Sequence, residues 1–288
     1  MTENVINQKV TKRSVKGSYA LVNGINLYYE IHGARGTATP LIMLHGGLGV
    51  IGMFDKLLPA LAQARQVIAV ELQAHGHTAD IDRPMTFEAM ADDIAALIEH
   101  LGLGKADLLG YSLGGGVALR TAIRHPGVVR KLVLVSTACK LDGWYPGVQA
   151  GFKGMNAAAA RGWIGSPMHE AYASVAPRPE DWPRLADKLG QLVTQNYDWS
   201  ADVAIMKTPT LIAIGDADAV RIAHAVELFK LLGGGKSEAG WDGSGMPNSR
   251  LAILPATTHY DIVFSPALAT AANQFLDAPI PEIKETST

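Results

Sequence analysis

Between Ala106 and Pro126 the chain reads Ala-Asp-Leu-Leu-Gly-Tyr-Ser-Leu-Gly-Gly-Gly-Val-Ala-Leu-Arg-Thr-Ala-Ile-Arg-His-Pro, and this stretch constrains the fold more than any other. The apolar Leu108 and Leu109 predict a buried strand. The helical pattern from about Leu113 to His125, stopped by Pro126, predicts a helix directly after it. Only Gly110-Tyr111-Ser112-Leu113-Gly114 is left to join the two. Glycines on both sides let the backbone close up, and a serine held in so sharp a turn projects its hydroxyl away from the sheet. The next amide opens a helix, where N–H groups lack intrahelical partners and favour developing negative charge. A Gly-x-Ser-x-Gly turn between strand and helix offers Ser112 as a nucleophile.

Length and composition narrow what can surround this turn. A chain of 288 residues fits one large α/β domain, or one such domain carrying an insertion. With 48% hydrophobic and 18% charged residues, a sizeable core is expected. A net charge of −2 without a Lys/Arg cluster argues against a nucleic-acid partner. The single Cys139 excludes an intramolecular disulfide, fits a reducing compartment, and reads as a buried small apolar residue. Met1–Ser14 lacks the apolar stretch of a signal peptide. No apolar run reaches the ~18 residues that span a bilayer. The expectation is a soluble cytoplasmic protein with no membrane partner. The oligomeric state is not legible.

Taken in order, Tyr19–Val22 and Ile25–Ile31 read as strands about Asn23-Gly24, a strong hairpin signal. Leu41-Ile42-Met43-Leu44 is a continuous apolar run, expected of a strand covered on both faces, and it ends in the loop His45-Gly46-Gly47-Leu48-Gly49. A helix from about Met53 to Ala64 and a strand Val67–Leu72 follow. The next helix, Thr86–Leu101, has Thr86 placed to cap it and Gly102 to end it. A strand Lys131–Ser136 comes after the central turn. From Cys139 to about Met206 no strand-like run appears and aromatics and methionines accumulate, so this segment reads as a mostly helical insertion. The βα rhythm returns with a strand Thr210–Ile214, a turn Gly215–Asp218, a helix from Val220 to Leu232, a strand Leu251–Leu254 and a closing helix from Ala267 to Leu276. Gly233–Asn248, rich in Gly and Ser, is a long loop without an assigned role. The start, 1–16, and the polar tail after Ala278 are expected to be loose. Six strands alternating with helices predict a parallel sheet, with the hairpin as an antiparallel edge.

Ligands of open parallel sheets sit at the carboxyl ends of the strands, and three such ends carry chemistry. Ser112 follows one strand, Asp218 another, and His259 stands just past a third, in Pro255-Ala256-Thr257-Thr258-His259-Tyr260. A serine hydroxyl needs a base to take its proton, an imidazole titrates in the right range, and a carboxylate orients that imidazole. Attack on a carbonyl also needs donors for the oxygen that becomes negative. The amides of Gly47 and Leu113 are assigned to that oxyanion hole. His75-Gly76-His77 offers two histidines but no further ligand nearby, so it reads as a structural loop and no metal site is expected. His32, His100, His125, His169 and His224 have no partner visible in the sequence and read as ordinary surface or cap residues.

The order of strands, the His-Gly-Gly loop, the Gly-Tyr-Ser-Leu-Gly turn, the inserted helices, the Gly-Asp-Ala-Asp turn and the Thr-His-Tyr segment together resemble the α/β-hydrolase superfamily. The resemblance runs from about Ser18 to Leu276 and is strongest to cap-bearing esterases, lactonases and carbon–carbon hydrolases. It implies an eight-stranded, mostly parallel sheet flanked by helices, a helical cap over the serine, and no cofactor. It places the nucleophile on Ser112, the acid on Asp218 rather than Asp216, and the base on His259. Two departures stand out: Thr258 where relatives usually have Gly, and the long Gly233–Asn248 insertion. The expected boundaries are 17–138 and 207–278 for the two parts of the core and 139–206 for the cap. Substrate-binding candidates are Tyr111 and Tyr260 beside the triad, with Trp144, Phe152, Met155 and Trp163 from the insertion. The expected activity is hydrolysis of a carboxylic ester, or next a lactone, of a hydrophobic small molecule through an acyl-enzyme. Carbon–carbon bond hydrolysis and acyl transfer would use the same triad, and a weakly catalytic small-molecule receptor could carry the same fold.

Overall fold

The computed structural model describes residues 17–280; the expectations for 1–16 and for the last residues of the tail lie outside that range. Strand β1 (Gly17–Val22) and β2 (Ile25–His32) form a hairpin about Asn23 and Gly24, whose φ values of 47° and 81° match the right-handed twist of the flanking strands. Strands and helices then alternate: β3 (Leu41–Leu44), α1 (Leu57–Ala62), β4 (Val67–Val70), α2 (Phe87–His100), β5 (Ala106–Tyr111), α3 (Leu113–Arg124) and β6 (Val129–Val135). Five helices follow without a strand between them: α4 (Pro146–Lys153), α5 (Ala157–Gly162), α6 (Pro167–Ala173), α7 (Trp182–Val193) and α8 (Ser200–Ile205). The chain closes with β7 (Thr210–Ala217), α9 (Ile222–Leu231), β8 (Arg250–Thr258) and α10 (Pro266–Asp277).

All eight strands form one sheet in the order β1-β2-β4-β3-β5-β6-β7-β8. The β1–β2 and β2–β4 pairs are antiparallel and the other five are parallel, so the hairpin is the antiparallel edge. β3, β4 and β5 are buried at every residue. Successive side chains of a strand point to opposite faces, which explains why Ile42 and Leu44 join one core and Leu41 and Met43 the other. The first core is completed by Phe87, Met90 and Val117 of α2 and α3. The second is completed by Leu57 and Leu61 of α1 and Leu268 and Phe275 of α10.

Local signals set most element ends. Thr86 Oγ1 accepts the Ala89 amide at 3.0 Å and starts α2, a cap worth about 1 kcal/mol. Gly102, at φ 61°, ends the same helix. Three boundaries differ most from expectation. The helix expected from Met53 begins at Leu57, because Ile51 and Phe54 reach the core from a separate 3-10 turn. β7 runs on to Ala217 and β8 to Thr258, since these two strands continue to pair past the apolar runs that marked them. Gly233–Asn248 holds no helix or strand, and its Trp241 is fully exposed. No helix among the described residues is long and apolar enough to cross a membrane.

Candidate active site

Ser112 stands between β5 and α3 with φ 52° and ψ −114°, a conformation that L-residues rarely adopt. The turn can close so tightly only because its flanking residues lack side chains. A Cβ on Gly110 would lie 2.1 Å from the Gly114 carbonyl oxygen, and one on Gly114 would lie 2.3 Å from that of Leu44. The first carbonyl belongs to α3 and the second to β3, so helix and strand meet across these two residues.

His259, just past β8, meets Ser112 on one side and Asp218 on the other. Its Nδ1 lies 2.9 Å from Asp218 Oδ1 and its Nε2 lies 3.1 Å from Ser112 Oγ. A carboxylate can only accept, so Nδ1 carries the proton and Nε2 is left to accept from the serine hydroxyl. Asp218 is heavily engaged: Oδ1 also accepts the Val220 amide at 3.0 Å, and Oδ2 accepts the Gly215 amide at 3.1 Å and the hydroxyl of Ser136. Burial pushes this carboxyl's pKa up, but the bonds to His259, Ser136 and Val220 outweigh it and hold the value below the usual range. Asp216 does something else. It accepts the amides of Ala256 and Thr257 at 3.0 and 3.1 Å and so fastens the end of β7 to the turn before His259. In that turn Thr258 is tied to Asp261 through both its amide and its hydroxyl, and the positive φ falls on Ala256 instead.

The loop after β3 is braced from below by two buried histidines. His75 Nε2 accepts the Leu48 amide at 3.1 Å and His75 Nδ1 donates to the Gln73 carbonyl at 2.8 Å. His45 Nε2 accepts the Leu72 amide at 3.1 Å and its Nδ1 donates to the Gly46 carbonyl at 2.8 Å. The amide donors at both Nε2 atoms fix both rings as the neutral Nδ1–H form. The loops after β3 and β4 are thereby cross-linked, with Gly47 held between them. Gly47 and Leu113 both line the cavity described next, and neither amide has an acceptor among the described residues.

That cavity, about 470 Å³, opens onto Ser112 and His259. Trp144, Phe152, Met155, Trp163 and Tyr260 line it, as do Gly47 and Leu113. Tyr111, grouped with them from its place beside Ser112, does not. It is a β5 residue buried beneath the turn, its ring fills the space a Gly46 side chain would need, and its hydroxyl donates to the His259 carbonyl at 2.7 Å. Trp144 meets the His259 ring edge-to-face at 5.7 Å. Sequence reasoning missed Phe87, Val148, Met168, Leu189, Val193 and Tyr197 among the lining. Leu189 and Val193 stand four apart on α7, a helical pair whose shared face was visible, although its target was not.

Four of the five remaining histidines correct the expectation that they lack partners, and buried His224 also corrects its reading as a surface or cap residue. His32 pairs with Glu30 at the end of β2, His125 with Asp92 on α2, and His169 with Glu170. His224 is buried; its Nδ1 faces Glu227 at 3.1 Å and its Nε2 accepts the Cys139 amide at 3.2 Å. These partners come from packed neighbours or from short local spacings, which apolar periodicity does not report. His77 pairs with Glu71 at 2.9 Å, and His100 is exposed. Cys139 is fully buried, which pushes its thiol up to about 11.

Ser112 thus stands at the end of a central parallel strand, with Asp218 and His259 arriving from the ends of later strands. The family profile described as alpha/beta hydrolase fold matches residues 39–175, just under half of the chain, and the chain has the α/β-hydrolase fold. Among curated relatives, an sn-1-specific diacylglycerol lipase from Danio rerio is 32% identical over 131 residues, which is 45% of this chain and 41% of that one. A pimeloyl-(acyl-carrier protein) methyl ester esterase from Neisseria meningitidis serogroup B is 44% identical over 106 residues, 36% of this chain and 39% of that one. The chain thus spans about two fifths of the length of these relatives. The solved structure of an enol-lactonase from Burkholderia xenovorans LB400 superposes with a TM-score of 0.66 at 24% identity, over 90% of this chain and 100% of that one. At that identity the likeness is one of fold.

Proposed function

We propose that the protein is a serine hydrolase that cleaves a carboxylic ester, or a lactone, of a hydrophobic small molecule through an acyl-enzyme. The observation that carries this reading is the unbroken relay from Ser112 Oγ through His259 to Asp218, opening onto a cavity next to two unengaged amides. Ser112 attacks the carbonyl while His259 Nε2 takes its proton and passes it to the leaving alcohol. Asp218 holds the imidazole in the required tautomer and balances the charge it gains. The tetrahedral oxygen is received by the amides of Gly47 and Leu113, each worth about 3–4 kcal/mol to the transition state. Water activated by His259 then attacks the acyl carbon and frees Ser112. Residues 139–206 form the cap and 17–138 with 207–278 the two parts of the core. No Lys, Arg, Asp or Glu is among the cavity's lining residues, in keeping with an uncharged substrate.

The test is turnover together with labelling. A chromogenic short-chain ester should be hydrolysed many times per molecule, and a serine-directed phosphonate should form one adduct, on Ser112. Binding without turnover would mark a receptor, and an adduct elsewhere would move the nucleophile.

A further inference from the structure

Trp144 and Tyr197 come from the two ends of the insertion and meet beside His259. Tyr197 Oη accepts the Trp144 indole N–H at 2.9 Å. The Tyr197 backbone is fixed as well, its carbonyl accepting the Leu141 amide at 3.0 Å. Its ring packs between Phe87 and Trp199, at centroid distances of 5.7 and 4.6 Å. A phenol that accepts one hydrogen bond still has its own proton to give, and among the described residues no acceptor takes it. Burial pushes the phenol's pKa far above its ordinary value, so Tyr197 remains a neutral donor.

The other polar groups of the cavity are accounted for differently. Thr137 Oγ1 donates to the Ser112 carbonyl at 2.9 Å. Tyr260 is 78% exposed and stands at the rim. The Trp163 indole N–H also lacks an acceptor among the described residues, but no polar partner orients it. Apart from the Gly47 and Leu113 amides, Tyr197 is therefore the one oriented, unspent side-chain donor among the described residues of a cavity walled mostly by apolar side chains.

We infer that Tyr197, oriented by Trp144, determines specificity by donating to a second, uncharged oxygen of the substrate, separate from the scissile carbonyl. An ether, ketone or further ester oxygen meets the requirement. A carboxylate or phosphate does not, because no cationic side chain lines the cavity to balance it. The inference rests on the hydrolase reading above. A buried donor left without an acceptor is costly, so a pure hydrocarbon ester of the same length is the poorer substrate.

The experiment compares matched esters in the full-length wild type, Tyr197→Phe and Trp144→Phe. On the acyl side, p-nitrophenyl hexanoate is set against its 3-, 4- and 5-oxa analogues. On the alcohol side, butyl acetate is set against 2-methoxyethyl acetate. The readout is the oxa-to-hydrocarbon ratio of kcat/KM, taken relative to Tyr197→Phe so that intrinsic ester reactivity cancels. The ratio should be raised about 3–10-fold in the wild type for at least one oxygen position, the worth of one neutral hydrogen bond, with Trp144→Phe in between. Equal losses on every ester, or ratios that do not change, overturn the inference. Should Tyr197→Phe not fold, the wild-type ratios corrected for alkaline hydrolysis, together with Trp144→Phe, decide the question. Turnover and a Ser112 adduct without oxygen dependence sink this inference alone; no turnover and no adduct sink the hydrolase reading with it.

Discussion

Asp218 and Asp216 stand two residues apart at the end of β7 and bind different parts of the same turn: Asp218 holds the His259 ring, and Asp216 the Ala256 and Thr257 amides ahead of it. In the proposed mechanism the two carboxylates therefore separate catalysis from scaffolding. Asp218→Asn should lower kcat by on the order of 10³–10⁴, because the amide cannot hold the Nδ1–H tautomer as a carboxylate does. Asp216→Asn keeps an acceptor for one of the two amides and should leave kcat within roughly tenfold of wild type. Single-turnover kinetics on one activated ester would compare them directly. A larger loss at 216 than at 218 would reassign the acid.

Ser136 adds a second hold on Asp218. It directly follows β6 at φ 49°, is fully buried, and gives its hydroxyl to Asp218 Oδ2. Removing that donor leaves part of a buried carboxylate unsatisfied, at a cost of about 1–3 kcal/mol. Ser136→Ala should therefore cut kcat by about 10-fold, far less than Asp218→Asn. A kcat equal to wild type in Ser136→Ala would show that Gly215 and Val220 suffice to place the acid.

The buried histidines set a pH limit on stability. Desolvation lowers the pKa of His45, His75 and His224 from 6.5, that of His75 to about 3 with some help from neighbouring His45. Above pH 7 folded and unfolded chains are both neutral at these rings and no slope arises. Below 6.5 the unfolded chain binds protons that the folded chain refuses, so stability falls as the pH falls, by up to about 1.4 kcal/mol per pH unit for each group. Urea midpoints should drop between pH 7 and pH 5, before acid-range carboxylates protonate, and less steeply in His75→Asn than in wild type. A midpoint that is flat across this range, or equal slopes in both proteins, would contradict the neutral bracing of the Gly47 loop.

How much of this was legible beforehand follows from what each feature depends on. The central turn could be read because its requirements are local: glycines at 110 and 114, an apolar strand before, a helix after. The buried strands could be read because being covered on both faces leaves a continuous apolar run. The work of Asp216, Ser136 and His75 could not, because each acts on a residue far away in sequence, and only the sheet order brings them together. Tyr111 was misplaced for a related reason. Adjacency to Ser112 in sequence does not mean adjacency in the cavity, since successive residues leaving a strand face opposite ways. In the insertion the aromatic richness was plain, but which face of α7 looked at Ser112 depended on packing that no periodicity encodes.

Chain-length selection by the insertion can be tested one side chain at a time. Trp144, Phe152, Met155 and Trp163 line the cavity, but they are not equivalent. Trp144 packs against His259 and Phe152 and donates to Tyr197, so its truncation disturbs the base as well as the wall. Phe152 and Met155 make no side-chain hydrogen bond among the described residues and are only partly buried, so their truncation chiefly adds volume. A wall contact is worth about 1–3 kcal/mol per methylene, which makes selectivity graded. Phe152→Ala and Met155→Ala should move the preferred acyl or alcohol chain to greater length with a small phosphonate still labelling Ser112. Trp163→Ala should do the same more weakly if only its edge reaches the substrate. Trp144→Ala should instead lower kcat for every chain length. The measurement is kcat/KM over an ester series with melting temperatures taken alongside. If all four variants keep the wild-type preference while remaining folded, these side chains form a satellite core and the insertion does not select the substrate.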